Sequence, residues 1–506
     1  MRRLLLALLI GSAILAQPST VAASPGGLDT DAIDAYVEGY LGRHGLAGAE
    51  VAVVRDGETV HTAAYGGNDD AATTTRTPMA TGSTGKSITS FAVLQLVEAG
   101  KVALDDPIVT HLPEFALDDK RVNDITVRQI LSHTSGMPSP IIVAPAATLT
   151  EGVARLQDWE LAADPGEKYL YSNMNYHLAG RLVEVVSGTS FASYLEQNLF
   201  VPLGMDDTHS VNTTRDETPG LHGGHVTAYG LTVHAEEMEQ LIAGAGSIIT
   251  TAEDMAKWLG MLTRDGEASD GTRLLPTKLL DEAQSPQPNA NGNGLGWQLS
   301  SPDVDPPRVG HSGATSRYSA QLDVVPDSGY GVSVMLNSFT PTFEHNYAIS
   351  SGIIDITEGR TPELGTPVPT LMDAGLGVVT LLALGLSVLG VRRAKRWATR
   401  RRSWPAWRVA LRLLPQLISP VMAIMLFGVV PALKNNPATP IDILFFWPAF
   451  MVLMLALGAS GVALIAARVL SRARLGAVEA SALLPGRVVR AFSALVGAPF
   501  DRRGWT

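Results

Sequence analysis

From about residue 374 onward the chain carries three apolar runs, at 374–391, 413–433 and 443–467, punctuated by arginines rather than acids. Each approaches or exceeds the roughly 20 residues a helix needs to cross the hydrocarbon layer of a bilayer. No other feature narrows the possible folds as much. It predicts a three-helix transmembrane tail, with spans at 371–391, 413–433 and 443–467. Pro415, Pro420 and Pro431 interrupt the second run, which is tolerated inside a helical bundle. The stretch "RRAKRWATRRRSWPAWR" between the first two runs contains no acid, so the positive-inside rule places a basic loop, 392–412, in the cytoplasm. The loop 434–442 then falls outside. Arg468, Arg472 and Arg474 return a tail, 468–506, to the cytoplasm. Within that tail Val488, Val489, Phe492, Leu495 and Val496 alternate with Arg487 and Arg490, the pattern of a segment lying along the inner leaflet.

The charge distribution agrees. The net charge of -11 divides unevenly: residues 24–370 hold 45 acids against 19 lysines and arginines, whereas 371–506 hold 17 basic residues against 4 acids. Such opposite halves exclude nucleic acid as a partner of the large part and fit a membrane-facing tail. At the other end, Arg2 and Arg3 precede "LLLALLIGSAILA", and Val21 and Ala23 stand before Ser24 as a cleavage site, so residues 1–23 are expected to be a signal peptide. The chain is therefore expected in the cell membrane as a multi-pass protein, with residues 24–358 extracytoplasmic and 359–370, "GRTPELGTPVPT", as linker. Absence of cysteine rules out disulfides, thiolate metal ligands and lipid attachment through a cysteine.

Within 24–358, "DTDAIDAYVEGYLGRH" spaces Ile33, Tyr36, Val37, Tyr40 and Leu41 on one helical face behind an Asp/Thr start signal. "AEVAVVRDGETVHTAAYG" reads as two strands joined at Asp56-Gly57, and "GATSRYSAQLDVVPDSGYGVSVMLN" as further strands turning at Pro326 to Gly329. Helical patterns dominate from about 83 to 280. The expected class is α+β: an antiparallel sheet completed by both chain ends, flanked by helices, with a helical subdomain inserted between.

The stretch "ATGSTGKS" at 80–87 allows two chemistries. A phosphate-cradling P-loop would follow a buried strand, but "GGNDDAATTTRTPM" precedes it and is polar. The alternative is Ser-x-x-Lys, with Ser83 opening a helix and Lys86 one turn on, on the same face. "STGKSITSFAVLQLVEAG" is apolar nearly all round and closed by Gly100, which describes a buried helix. A lysine desolvated there loses its proton readily and can activate the serine. A second decoy, "GHSGA" at 310–314, is close to a nucleophile elbow, yet a strand-like segment rather than a helix follows it.

Three motifs, "STGK" at 83–86, "YSN" at 171–173 and "HSG" at 311–313, occur in an order that resembles the serine β-lactamase and penicillin-binding superfamily, specifically its class C-like branch. "LDDPI", "LSHTSGMP" and "PLGMDDT" are similar to its connecting elements, so the likeness spans roughly 28–355. The resemblance implies a β-lactamase/transpeptidase-like fold and a serine hydrolase of the peptidase S12 type, acting without metal or cofactor on a small peptide, β-lactam or ester. It implies Ser83 as acylated nucleophile, Lys86 as proton acceptor, Tyr171 as relay to the leaving group and Asn173 as a hold on the substrate amide. His311, Ser312, Gly313 and Ala314 would line the substrate edge, the backbone N–H groups of Ser83 and Ala314 forming an oxyanion hole. His311 stands where the family often has lysine, which argues against strong β-lactam hydrolysis. Arg317 replaces a usual glycine and is expected either to narrow the cleft or to supply the missing cation. The layout of peptidase followed by three spans also resembles membrane-bound prodrug-activating D-amino-acid peptidases. A non-catalytic receptor for wall peptides or penicillins is the alternative of another class. His222 and His225 in "LHGGHV" read as a surface loop rather than a metal site, and His133 with Ser135 as structural. Oligomeric state is left open.

Overall fold

A computed structural model of the chain describes residues 28–67, 71–138, 146–425, 429 and 446–482. The signal-peptide expectation at 1–23, the loop at 434–442, most of 426–433 and the inner-leaflet stretch beyond 482 lie outside the described residues.

Helix α1 (Thr30–His44) begins where the Asp29 carboxylate accepts the Ala32 N–H at 2.9 Å, and it buries the five residues its periodicity singled out. Strands β1 (Gly48–Arg55) and β2 (Glu58–Gly66) follow as a hairpin. Asp56 and Gly57 between them have φ of 49° and 86°, the double positive φ that a type I′ turn requires. The inserted region supplies α2 (Gly85–Glu98), α3 (Asn173–Ser187) and α4 (Ala252–Leu262). The chain then returns as β3 (Gln298–Leu299), β4 (Val309–Ala314), β5 (Ser319–Val325), β6 (Tyr330–Leu336) and helix α5 (His345–Thr357).

These strands form one antiparallel sheet in the order β2-β1-β6-β5-β4-β3, with Ala49 opposite Leu336 joining the chain's two ends. Alternation sends successive side chains to opposite faces. Val51, Val53, Val332 and Val334 pack under α1 and α5, while Ala52 and Val54 face the helical region, where Phe91 of α2 meets Trp258 of α4 edge to face at 5.3 Å. Helix α2 is buried around most of its circumference, as its composition predicts.

The region between the hairpins is less uniformly helical than its sequence suggests. It contains a ribbon, His225–Ala228 paired with Leu231–His234, turned at Tyr229-Gly230 and joined in parallel to Ser338–Phe339. It also contains short strands at Met79–Ala80, His209–Ser210 and Ile248–Thr250, so a two-residue strand does precede the Ser83 turn. The glycines around His222 and His225 suggest a loop, yet His225 starts a strand and is buried, its Nδ1 3.1 Å from the Asn337 carbonyl. His222 is exposed, as expected.

The segment after α5 is not a free tether. His44 Nε2 donates to the Leu364 carbonyl at 2.8 Å and Arg43 Nε to that of Gly365 at 2.7 Å, fastening it to α1. Helices α6 (Val368–Arg392), α7 (Ala406–Ile424) and α8 (Pro448–Ala482) then pack together. Two of them, at Val368–Arg392 and Pro448–Val478, are long and apolar enough to cross a membrane. Helix α7 carries Pro415 and Pro420 inside it. Gly461 of α8 lies against it so closely that an added Cβ would stand 2.4 Å from the Gln416 carbonyl, the small-residue contact by which apolar helices approach. The basic segment is largely helical, because alanine and arginine favour helix: Ala394–Arg400 forms a short helix of its own. There the Arg401 and Arg468 guanidinium groups stack on Trp397 at 4.8 and 4.9 Å.

Candidate active site

Ser83 sits in the single turn Gly82–Thr84 that feeds α2, and Lys86 in the first turn of that helix. The i, i+3 spacing brings Lys86 Nζ to 2.8 Å from Ser83 Oγ. Two further oxygens surround the amine, Asn173 Oδ1 at 2.9 Å and the Ala245 carbonyl at 2.6 Å. A neutral amine has two N–H donors and one lone pair. The amide and carbonyl oxygens accept the two donors, which leaves the lone pair for the serine proton. Lys86 is fully buried, and that loss of water holds its pKa well below the ordinary 10.5.

From the start of α3 come Tyr171 and Asn173. The Tyr171 hydroxyl donates to Ser83 Oγ at 2.8 Å, and burial raises its pKa above the usual phenol range. His133 carries the tyrosine from behind, ring centroid to ring centroid 4.4 Å, in a left-handed backbone conformation with φ of 58°. Its Nδ1 accepts the Ser172 N–H at 3.2 Å. Ser135 donates to Asn175 at 2.6 Å, so this pair is structural, as the sequence suggests. Tyr171→Phe keeps the ring on His133 and removes only the hydroxyl that donates to Ser83. Its kcat is expected to fall by about 10²–10³-fold with thermal stability nearly unchanged, read from steady-state kinetics beside a melting curve; an unaltered kcat would remove Tyr171 from the chemistry.

Strand β4 closes the opposite wall. A Cβ on Gly313 would lie 2.0 Å from the Thr81 carbonyl and 2.9 Å from Ser83 N, and one on Gly82, whose φ is 54°, would strike Ala314 at 2.6 Å. Only glycine permits both approaches. Thr315 N donates to the Tyr318 carbonyl at 2.9 Å. By the alternation of an antiparallel ladder, Ala314 then turns its own N–H outward, toward the Ser83 turn.

The other motif positions divide by face. His311 looks toward the site and, with Tyr169, Trp297 and Gln298, walls the cleft beside Tyr171. Burial pulls its pKa down to about 3, and Nδ1 donates to the Ser312 carbonyl at 2.6 Å. His311 is thus neutral and supplies no cation. Ser312 points to the far face, its hydroxyl donating to Gln321 beside a cavity also lined by Arg308 and Asp323. Arg317 is wholly buried, and its Nη1 donates to the Ser316 carbonyl. Its charge is turned inward rather than toward the cleft. Glu237 holds this turn, accepting from the Ser316 N–H at 3.1 Å and from the hydroxyls of Thr315 and Ser316. Among the described residues no cluster of three or more His, Cys, Asp or Glu side chains could hold a metal ion. Gln298 and Glu237 escape sequence reasoning, since each acts through a tertiary contact with no local signature.

Residues 33–351 match a family model described as Beta-lactamase. The chain belongs to the beta-lactamase family. Protein flp of Staphylococcus aureus (strain N315) is 28% identical over 316 residues, which is 60% of this chain and only 62% of that relative. Penicillin-binding protein 4 of Amycolatopsis lactamdurans is 30% identical over 350 residues, covering 64% of this chain and 89% of the relative. Among solved structures, a D-stereospecific amidohydrolase from Streptomyces sp. superposes with a TM-score of 0.50 at 26% identity, over 61% of this chain and 94% of that one. The beta-lactamase match ends before α6 begins.

Proposed function

We propose that residues 24–358 form an extracytoplasmic serine hydrolase, anchored by α6–α8, that cleaves amide bonds through an acyl-Ser83 intermediate. What carries the reading is the convergence of Lys86 Nζ and the Tyr171 hydroxyl on one serine oxygen, each at 2.8 Å. Neutral Lys86 accepts the Ser83 proton as Oγ attacks the carbonyl carbon. The N–H groups of Ser83 and Ala314 receive the oxyanion, where charge develops and preorganised donors count most. Tyr171 passes the proton from the lysine side to the departing amine as the C–N bond breaks. Water then attacks the ester, and the same groups return the proton to Ser83. Asn173 keeps Lys86 in place and presents its amide toward the substrate.

Neutral His311 and inward-turned Arg317 leave the motif positions without a cation for a substrate carboxylate. The favoured substrate is therefore a small amide or ester whose leaving group is uncharged, and the likeness to a D-stereospecific amidohydrolase supports a D-configured acyl side. That preference also suits removal of an acylated D-amino-acid cap from a secreted peptide, and disfavours D-Ala-D-Ala peptides and penicillins, which carry the carboxylate. The test incubates full-length protein with an N-acyl-D-amino-acid amide, its L-isomer, a D-Ala-D-Ala peptide and a penicillin, then maps adducts by tandem mass spectrometry. A transient acyl group on Ser83 and faster turnover of the D-amide are expected. An adduct on another residue, or none with any donor including a fluorophosphonate, would overturn the assignment.

A further inference from the structure

The ribbon at 225–234 exposes what a water-facing edge strand normally hides. Leu231 is 68% exposed and Val233 48%, so two apolar side chains share one face of an unpaired edge strand, and Tyr229 in the turn before them is 39% exposed. The turn itself is unusual. Tyr229 and Gly230 have φ of 55° and 77°, and the first position of such a turn normally takes Asn, Asp or Gly. A bulky side chain held there is an outlier that invites explanation.

The tail gives one. Tyr229 donates its backbone N–H to Asp373 Oδ2 of α6 at 2.8 Å, and Trp447, just before α8, donates Nε1 to Oδ1 of the same carboxylate, also at 2.8 Å. The Tyr229 ring lies over Gly377, one turn further along α6, so near that a Cβ there would stand 3.1 Å from it. Phe446 packs against Phe339 beside the ribbon, and Phe450 against Trp447, at 5.8 Å in each case. Tryptophan and tyrosine gather where a spanning helix leaves the hydrocarbon. The turn packs along the first turns of α6, where an added Cβ on Gly230 would also stand 2.7 Å from Thr370.

We propose that the ribbon 225–234 is a membrane-contact element: Leu231 and Val233 sit in the headgroup–acyl boundary of the bilayer, and Asp373 pins the ribbon at that depth. This rests on the reading of α6 and α8 as spans. The ribbon also leads to the active site, because the His222 carbonyl accepts the Tyr318 hydroxyl and Glu237 grips the turn after Ala314. The depth of the ribbon thereby fixes the height of the cleft above the lipid.

The chain has no cysteine, so single cysteines can be placed cleanly in the full-length protein. Leu231→Cys, Val233→Cys, Ser269→Cys and Leu386→Cys would each carry a nitroxide, in nanodiscs of phosphatidylcholine and phosphatidylglycerol. Ser269 is an exposed control near Arg264, which abuts Gly57 at the far end of β1 from the ribbon. Leu386 is a lipid control within α6. Collision rates with oxygen and with a water-soluble nickel chelate are read by electron paramagnetic resonance. The ratio of oxygen to nickel collisions at 231 and 233 should exceed that at 269 by about fivefold or more and lie below that at 386. Nickel access at 231 and 233 equal to that at 269, with 386 protected, would overturn the ribbon inference alone. Nickel access at 386 as well would overturn the spanning reading beneath it.

Discussion

Ser83→Ala and Lys86→Met should each lower kcat for a good amide substrate by roughly 10⁴–10⁶-fold, and the double variant should be no worse than either alone. Groups that act as one unit lose their whole contribution when any is removed. Here the unit is physical: Lys86 Nζ and the Tyr171 hydroxyl each lie 2.8 Å from Ser83 Oγ. Ser83→Ala should also abolish the mass adduct, whereas Lys86→Met leaves a nucleophile that acylates slowly. Additive losses in the double variant would mean that the two residues serve different steps. The amine brings a pH signature. Because burial depresses the folded-state pKa of Lys86 below the ordinary 10.5, kcat/KM should rise with pH through that lowered value, where the amine becomes neutral. Stability moves the same way. Between the lowered value and 10.5 the unfolded chain binds a proton on this lysine that the folded chain does not, so unfolding becomes harder as pH rises. The stability of wild type relative to Lys86→Met should accordingly improve between neutral and alkaline pH in denaturant titrations. A flat difference would mean that the amine is charged in the fold.

Gly313→Ala is expected to damage catalysis less than either of those changes and the fold far more. Its new methyl would stand 2.0 Å from the Thr81 carbonyl, a backbone atom that cannot rotate aside. Either β4 or the Ser83 turn must move. Overpacking of this kind costs about 1–3 kcal/mol, and any displacement separates the Ser83 and Ala314 N–H groups proposed to face one oxyanion, a loss of about 10²–10³-fold in kcat. Melting curves and single-turnover acylation should therefore both suffer, with substrate binding less affected. Full activity in Gly313→Ala would mean that the strand does not form the wall of the site.

How much of this was legible beforehand depends on the range of the contact. Ser83 and Lys86 are three apart on one helix, so their encounter follows from helical geometry. Hairpins at Asp56-Gly57 and Pro326–Gly329 follow from turn chemistry between alternating residues, and the structure contains both. The superfamily resemblance agrees with the family match. Other features were illegible for stated reasons. The carbonyl of Ala245 that completes the lysine's surroundings is a backbone group, which any residue supplies. His133 reads as structural in the sequence, but nothing local shows that it stacks under Tyr171. The ribbon was obscured because "LHGGH" reads as a glycine loop while the pairing partner, Ser338–Phe339, lies more than a hundred residues downstream. Arg317 could be placed beside the site, but the direction of its side chain depends on Ser316 and Glu237.

The sheet that unites Ala49 with Leu336 has a bearing on how the protein is made. Strand β1 leaves the ribosome early, yet its partner on one side is among the last segments before α6. At about 5–20 residues per second, that partner arrives on the order of tens of seconds later. Until then β1 and β2 make a lone hairpin, which is marginal in water, and the Ser83 turn has no β4 to lean on. The Ser83 turn therefore cannot be completed in an amino-terminal fragment that stops before β4. A truncated chain that stops before residue 309 carries all three of Ser83, Lys86 and Tyr171 yet lacks the strand that packs on the Ser83 turn, so on the proposed mechanism synthesis itself withholds reactivity until α6 is about to follow.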